Sequence, residues 1–520
     1  MKFVIFILLI SLSNLLLSQA GSLDLTFGDN GKTITSYENS SAQATALKIQ
    51  SDGKILLSGS DFTGQGGEDI MAARYMQSGQ LDNSFGVNGI FSHKIFSDVV
   101  YDMEVDLDDN VFISGVTFED GEESKTFILK LDNNGDIDSS FAQNGVWISK
   151  ANKGRENFRS ILIQADGKIL IAGSYFDFNN LPLPSTSTIT RLYPNGAIDS
   201  IFGIDGSASV NLTGGYNPRF LTLNSEEDII LGGFIVELED PYPSNIVLIK
   251  YDSHGVIDQS FGTNGIMIDE TDIDERAPSI ALQIDNKIVV GRRVKNASGL
   301  SFGLVRYNED GTLDVNFGND GRVTSAFPQL ESTAKSILIQ EDGKIILSGY
   351  MQIDTIYNYA IARYDSLGNM DTSFGNDGKV ITDFGFNDFI NKSILQIDGK
   401  LLCAGQSFDI ASSASFSIAR YLTKSATNTE NVNSIHEVVL FPNPTSGNFI
   451  LDFELNKSAM VSITLLNTSG QHIQNVTDKK IFIEGNNTIN FNLRKAIESG
   501  SYFLKIETRE GSIIKNIVVE

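Results

Sequence analysis

The chain has 520 residues, among them 47 glycines, 33 phenylalanines and one cysteine, and carries a net charge of −26. Abundant glycine and aromatic residues with many short Val/Ile/Leu runs exclude a helical or disordered chain and predict an all-β protein. The acidic balance excludes nucleic acid and anionic lipid as partners, since both require clustered Lys and Arg, and a single cysteine excludes an intramolecular disulfide.

At the N-terminus Lys2 precedes an apolar run from Phe3 to Leu17, and Ser18-Gln19-Ala20 places small residues where a signal peptidase cuts. Residues 1–20 are therefore predicted to be a secretory signal peptide, with the mature chain starting at Gly21. Ser11, Ser13 and Asn14 interrupt the run, and no later segment is apolar enough to span a bilayer, so no transmembrane segment is expected after signal removal.

From Gly21 onward one phrase dominates. The pattern G-x-[LIM]-D-x-x-F-[GA]-x-[ND]-G starts at Gly21, Gly79, Gly135, Gly196, Gly255, Gly311 and Gly368, at intervals of 56 to 61 residues. Each interval holds a short strand after the motif, a hairpin such as "SILIQADGKILIAGS" from Ser160 with Asp-Gly at its turn, and a further strand such as "YAIARYD" from Tyr359. Four strands per unit cannot bury both faces alone, so the units must stack on one another. Seven such units predict a seven-bladed β-propeller over residues 21–424.

The GxLDxxFGxNG phrase with its "DGK" hairpin resembles the delta-60 repeat family of predicted β-propellers, a likeness that implies a fold and a surface location but no activity. Ala142 departs from the motif glycine, and two hairpin turns read "SEED" from Ser225 and "IDNK" from Ile284.

A second regularity runs beside the motif. The last strand of each unit carries a cation, Arg74, Lys130, Arg191, Lys250, Arg306, Arg363 or Arg420. Eight residues after each of the first six lies the motif aspartate: Asp82, Asp138, Asp199, Asp258, Asp314 and Asp371. Only Arg420 lacks a downstream partner and only Asp24 an upstream one, so ring closure predicts that these two pair. The aspartates are expected to cap backbone amides of their own turns. They are not expected to bind calcium, which needs six to eight oxygens from a compact loop.

In a meander, alternate connections fall on opposite faces, so the motif and the "DGK" turn share one face and the irregular connections the other. Recognition is expected on the irregular face. Its candidate residues are Arg155, Arg159, Tyr175, Tyr216, Arg219, Tyr242, Arg276 and Arg292, chosen because Tyr and Arg dominate contact energies.

Catalytic patterns are sparse. His93, His254, His436 and His472 are too scattered for a metal pair. Gly299-Leu300-Ser301-Phe302-Gly303 fits G-x-S-x-G without a strand-to-helix elbow. Cys403, in "KLLCAG", occupies an apolar strand position and is expected to be inert. No catalytic residue, metal or cofactor is assigned.

After "YLTKSATNTENVNSIHE" the repeats end, and residues 425–436 read as a linker. Residues 437–520 hold about seven short strand patterns and predict a small Ig-like β-sandwich. This part is nearly neutral, with nine acids against eight bases, whereas residues 21–436 hold fifty-six against thirty. "FPNPTSGNF", "LLNTSGQHI", "ESGSYFLKIET" and "KNIVVE" resemble the type A C-terminal sorting domain of the type IX secretion system. Pro442, Asn443, Pro444, Gly447, Gly470, Gly500, Tyr502, Lys515 and Val519 occupy the motif positions; the final Glu520 departs from it. The resemblance implies an outer-membrane translocon as partner, and release from or attachment to the surface of a Gram-negative cell of the Bacteroidota. The chain is thus expected to be a secreted or surface-bound, non-catalytic propeller that binds a protein or glycan. A polysaccharide-cleaving enzyme and a passive surface-coat component are the alternatives.

Overall fold

The structure is a computed structural model describing residues 19–519, apart from 38–40, 63–68, 120–122, 151–154, 177–183, 237–243, 271–275, 297–298, 326, 328–330, 426–434, 444, 446, 456–457, 468–471, 494–496, 498–499 and 509–510. The predicted signal peptide up to Ser18, together with Tyr242, Pro444, Gly470 and Glu520, lies outside the described residues. Seven four-stranded antiparallel sheets precede a three-stranded and a further four-stranded sheet. The chain is all-β, a seven-bladed propeller followed by a β-sandwich.

The first blade comprises Ala42–Ile49, Ile55–Asp61, Asp69–Tyr75 and Ile90–His93, ordered from the axis outward. Its outermost strand follows the second motif copy. The sequence repeat therefore straddles two blades, giving three strands to one sheet and its first strand to the sheet before, whereas the sequence reading took the repeat itself as the unit. In the seventh blade the outermost strand is Lys32–Thr35, from the beginning of the ring, paired with Ala414–Tyr421 in the register Lys32↔Ala419 to Thr35↔Phe416. Neighbouring innermost strands contact one another all the way round, Asp388–Leu395 of the seventh blade meeting Ala42–Ile49 of the first.

Middle strands are buried on both faces, as in Ile55–Asp61 and Ser244–Tyr251, because each sheet is covered by a blade on either side. The motif phenylalanines Phe27, Phe85, Phe141, Phe202, Phe261, Phe317 and Phe374 are all buried, each stabilising by about 1.5–3 kcal/mol. They also explain the motif's first glycine. A Cβ on Gly79 would stand 2.8 Å from the Phe27 ring, and one on Gly135 equally close to Phe85.

A backbone bond repeats at every junction. The amide of Gly28 donates to Ser78, Gly86 to Asn134, Ala142 to Asn195, Gly203 to His254, Gly262 to Asp310 and Gly318 to Leu367, all at 2.7–2.9 Å. The seventh, from Gly375, is accepted 2.7 Å away by the carbonyl of Ala20, the last residue of the predicted signal peptide. Ala142, the motif departure, holds φ at 44° where the other copies place glycine. In the "SEED" and "IDNK" turns Glu227 and Asn286 take φ of 65° and 60°.

The cation and aspartate of each corner meet. Arg74 Nε lies 2.8 Å from Asp82, Lys130 Nζ 2.8 Å from Asp138, Arg191 Nε 2.8 Å from Asp199 and Lys250 Nζ 3.1 Å from Asp258. Arg306 Nε lies 2.8 Å from Asp314, Arg363 Nε 2.9 Å from Asp371 and Arg420 Nε 2.9 Å from Asp24. The other aspartate oxygen caps the turn, as where Asp24 accepts the Thr26 amide at 3.1 Å and its hydroxyl at 2.7 Å. Each arginine does two further things. Its NH1 donates to a carbonyl of the next corner, as from Arg420 to Gln77 at 2.6 Å and from Arg191 to Ser253 at 2.6 Å. Its guanidinium also stacks on the motif phenylalanine, Arg420 over Phe27 at 4.6 Å and Arg363 over Phe374 at 4.4 Å.

The hairpin lysine is a third member that sequence reading missed. Lys54 lies 3.3 Å from Asp82, Lys168 3.9 Å from Asp199, Lys287 2.8 Å from Asp314 and Lys400 3.2 Å from Asp24. The two blades whose strand cation is lysine have Asn110 and Asp228 at the hairpin position, and Asp228 draws Lys250 to 3.0 Å. Lysine cannot supply the planar fork that spans two blades, so the second and fourth corners keep the ion pair and lose the bridge.

The C-terminal unit packs Ile435–Phe441, Asn448–Leu455 and Gly485–Asn492 against a sheet that includes Ala459–Leu466 and Gly500–Thr508. Its core holds Phe449, Leu451, Phe453, Val461, Ile463, Leu504 and Ile517. Ile435 and His436, predicted as linker, begin the first strand. Of the sorting motif, Asn443 accepts the Val518 amide at 2.8 Å and donates to the Asn516 carbonyl at 2.9 Å, tying the entry segment to the last strand. Pro442 is exposed, Gly447 takes φ of 113°, Gly500 opens the strand that carries Tyr502, Lys515 lies on the last strand and Val519 is buried.

Two outcomes follow for the closure. Arg420→Ala leaves the Asp24 carboxylate buried beside the half-exposed Lys400 and is expected to cost about 3–5 kcal/mol in urea unfolding; an unchanged midpoint would show that closure does not use this pair. Burial raises the Asp24 pKa, but hydrogen bonds from Thr26 and the charges of Arg420 and Lys400 outweigh it and bring the carboxyl to about 2. Hydrogen bonds from Lys130 and Ser140 likewise bring Asp138 to about 2. Because both folded values lie below the unfolded one, their stabilisation is complete above about pH 4 and is lost as pH falls toward 2. Urea midpoints measured from pH 5 to pH 2 should decline accordingly, and less steeply in Asp24→Asn.

Candidate functional site

Of the residues chosen for the irregular face, those the structure describes lie on strands rather than loops. "LTGGYNPRF" is not a loop. Ser207–Thr213 ends one residue before Gly215–Leu223 begins, so only Gly214 connects the third blade to the fourth. Tyr216 is consequently fully buried between these blades and cannot meet a ligand. Arg292 lies on Ile288–Asn296 and is 2% exposed, again a correction, because "RRVKN" continues the second strand of its blade instead of leaving it. Arg276 begins the innermost strand of the fifth blade, and Arg155 stands exposed at the start of that of the third. Arg159 and Arg219 lie further down innermost strands, facing the axis. Tyr175, on Ile169–Phe176, lines a surface groove.

That groove lies between the second and third blades and encloses about 340 Å³. The outermost strand of the second blade, Val146–Ile148, has three residues against four in five other blades, whereas that of the third, Ser207–Thr213, has seven and outruns it. One face of the third blade is left uncovered. Along Pro184–Leu192, Ser185, Ser187 and Ile189 are buried while Thr186, Thr188 and Thr190 are half-exposed, in contrast to the wholly buried Ser244–Tyr251 of the fourth blade. The strand period of two puts these three hydroxyls on the same side. They bond across to the outermost strand, Thr186 to Asn211 at 2.7 Å, Thr188 to Ser209 at 3.1 Å and Thr190 to Ser207 at 3.1 Å.

Trp147, the only tryptophan of the chain, and Tyr175 also line the groove, with Lys150 at its rim. Trp147, Lys150 and Ile198 continue into an adjoining depression of about 600 Å³ that reaches His93. Glu156 contributes a buried carboxylate, which accepts the Thr126 amide at 2.8 Å and the Ser149 hydroxyl. Aromatic rings beside a row of hydroxyls suit a ligand with both an apolar face and hydroxyl groups. Trp147 escaped sequence reading although a signal existed: "GVWIS" places an indole where the other copies of this short strand carry Thr, Phe, Ala, Met or Val.

Catalytic chemistry is thin here. Glu156 is the one carboxylate among the described residues of the groove lining, and its Oε2 accepts both the Thr126 amide and the Ser149 hydroxyl. Among the described residues no group of three His, Cys, Asp or Glu could hold a metal ion. Ser301 of the G-x-S-x-G match lies buried within the strand Gly299–Tyr307, and burial pushes the Cys403 thiol well above its ordinary pKa.

Comparison with known proteins agrees with this architecture. Residues 439–520 match the secretion system C-terminal sorting domain, and residues 50–85, 164–202, 283–317 and 340–374 match the domain of unknown function DUF5122, a β-propeller. The chain thus carries repeats similar to those of that family ahead of a tail that matches a type IX sorting domain, which implies export to the cell surface or beyond. No helix among the described residues is long and apolar enough to cross a membrane. Among solved structures, a Dyadobacter fermentans protein of unknown function is 11% identical, with a TM-score of 0.40 over 75% of this chain and 97% of that one. The GH32 β-fructofuranosidase BmSUC1 of Bombyx mori is 11% identical, with a TM-score of 0.30 over 71% and 87%. Sqt1 of Chaetomium thermophilum is 9% identical, with a TM-score of 0.36 over 76% and 100%. No curated protein matches the chain.

The position of Tyr216 gives a direct check. Its hydroxyl is buried without a hydrogen-bond partner, so Tyr216→Phe should raise stability by about 1 kcal/mol in urea unfolding. A loss of stability would mean that the hydroxyl is satisfied.

Proposed function

We propose that this protein is a non-catalytic binding propeller, delivered to the surface of a Gram-negative cell of the Bacteroidota, and that it holds a saccharide in the groove between its second and third blades. The observation that carries the reading is the uncovered face of the third blade, where Trp147 and Tyr175 flank the hydroxyl row of Thr186, Thr188 and Thr190. A pyranose has the same division into apolar face and hydroxyl edge, and an indole beside donor and acceptor hydroxyls complements both. The matched tail at 439–520 supports delivery by the type IX translocon, after entry through the predicted signal peptide.

A glycan array probed with the mature protein, read for both retention and turnover, tests this reading. Retention without turnover is expected, weakened more than about tenfold by Trp147→Ala. Turnover would replace the reading with a polysaccharide-cleaving enzyme, and neither retention nor turnover would leave a passive surface component. Deleting residues 437–520 should strand the propeller in the periplasm, as cell fractionation would show; surface display without the tail would remove the export half of the proposal.

A further inference from the structure

Each innermost strand carries one extra residue against its neighbour. The register slips around Thr45, Tyr101, Arg159, Arg219, Lys335 and Asn391 in six blades, and around residues 277–278 in the fifth. Such bulges re-aim a side chain. These six are partly exposed while the residues on both sides of them are, with the exception of Lys392, buried, so they form a tier around the axial channel. The tier lies about 10–13 Å below the irregular face, given three or four residues of strand above it.

The composition of the tier is lopsided. Thr45 donates to the carbonyl of Val100 at 3.1 Å and Asn391 to that of Ala44 at 2.7 Å, each stitching its blade to the next. Arg159 and Lys335 have no carboxylate partner among the described residues; the Arg159 guanidinium stacks on Tyr101 at 4.2 Å, its Nε is buried without a hydrogen bond, and Lys335 Nζ sits over Tyr350 at 5.6 Å. Burial, and then the charges of Arg219, Arg293 and Arg159, lower Lys335 to about 8. Arg159 belongs to the third blade and Lys335 to the sixth, so they sense each other only through the channel. Deeper in the channel the charges balance: Lys48 pairs with Glu104, and Lys392 lies 3.4 Å from Asp102. Among the described residues, Arg159 and Lys335 thus stand at one level without a carboxylate of their own, the nearby Asp102 being engaged by Ser160, Ile161 and Lys392, in a protein whose net charge is −26.

We infer that the bulge tier of the axial channel is a binding site for a single oxyanion group, a carboxylate, sulfate or phosphate, held between Arg159 and Lys335 with Arg219 and Arg293 alongside. The acidic exterior repels extended polyanions, so the site takes one anionic group, either a free ion or the acidic end of a small saccharide. This site is separate from the groove and does not rest on it.

Calorimetric titration of the mature full-length protein with sodium sulfate, sodium phosphate and sodium glucuronate, at ionic strength held constant with chloride, tests the inference. Saturable binding of at least one probe is expected, about tenfold or more weaker in Arg159→Gln and in Lys335→Gln, and unchanged in Arg155→Gln at the strand start above the tier. Both tier variants should also unfold at a higher temperature than wild type in anion-poor buffer, since each removes a repelled cation. Binding of sulfate or phosphate identifies a free ion, and of glucuronate alone a saccharide-borne carboxylate. If no probe saturates with wild type at millimolar concentrations, or if folded tier variants bind as wild type does, the inference is wrong; the wild-type titration decides even where a variant fails to fold.

Discussion

The pairing of Lys32–Thr35 with Ala414–Tyr421 is the constraint on which the ring depends. Because every repeat lends its first strand to the blade before, the first repeat has a strand with nowhere to go except the last blade. Closure therefore takes one antiparallel register spanning nearly four hundred residues of chain, reinforced by Arg420 on Asp24 and by the Gly21 amide on the Leu422 carbonyl at 2.6 Å. Once it forms, every middle strand is covered on both faces. An open stack would expose the apolar flanks of two blades, which is why a repeat of this kind is stable only as a whole.

The motif serves that ring. Its aspartate caps a turn and holds a cation, its phenylalanine receives the arginine above and the next repeat's glycine beside it, and its second glycine or Ala142 donates to the following corner. An arginine that is ion-paired, stacked and bonded to the adjacent blade fixes the angle between blades more than it adds stability. Lys130 and Lys250 show what is dispensable: those corners retain the ion pair without the bridge.

Function is then to be sought where sevenfold likeness fails. Two of its failures open space: the mismatch between the three-residue strand Val146–Ile148 and the seven-residue Ser207–Thr213, beside the hydroxyl row of the third blade, and the channel, where equivalent bulges carry Thr, Tyr, Arg, Arg, Lys and Asn. Both departures are compatible with a rigid scaffold, since the corner ion pairs Lys130–Asp138 and Arg191–Asp199 beside the groove stay in place. The sorting tail stands apart from this logic. It has its own core and its own entry tie at Asn443, so its fold is built without the corner motif.

The sequence alone determined the blade number, the pairing of each strand cation with an aspartate and the tail's identity, because each is written in local spacing that seven copies or one long motif make unambiguous. The orphan status of Arg420 and Asp24 even indicated where the ring meets itself. What only the tertiary structure decided is which side a residue faces. Arg159 and Arg219 look like loop residues in "NFRS" and "NPRF", yet a bulge turns them toward the axis, and Tyr216 sits one strand position from exposure. A strand's two faces differ by a single residue of register, and register is set by the neighbouring blade, which lies some sixty residues away and leaves no mark on the local pattern.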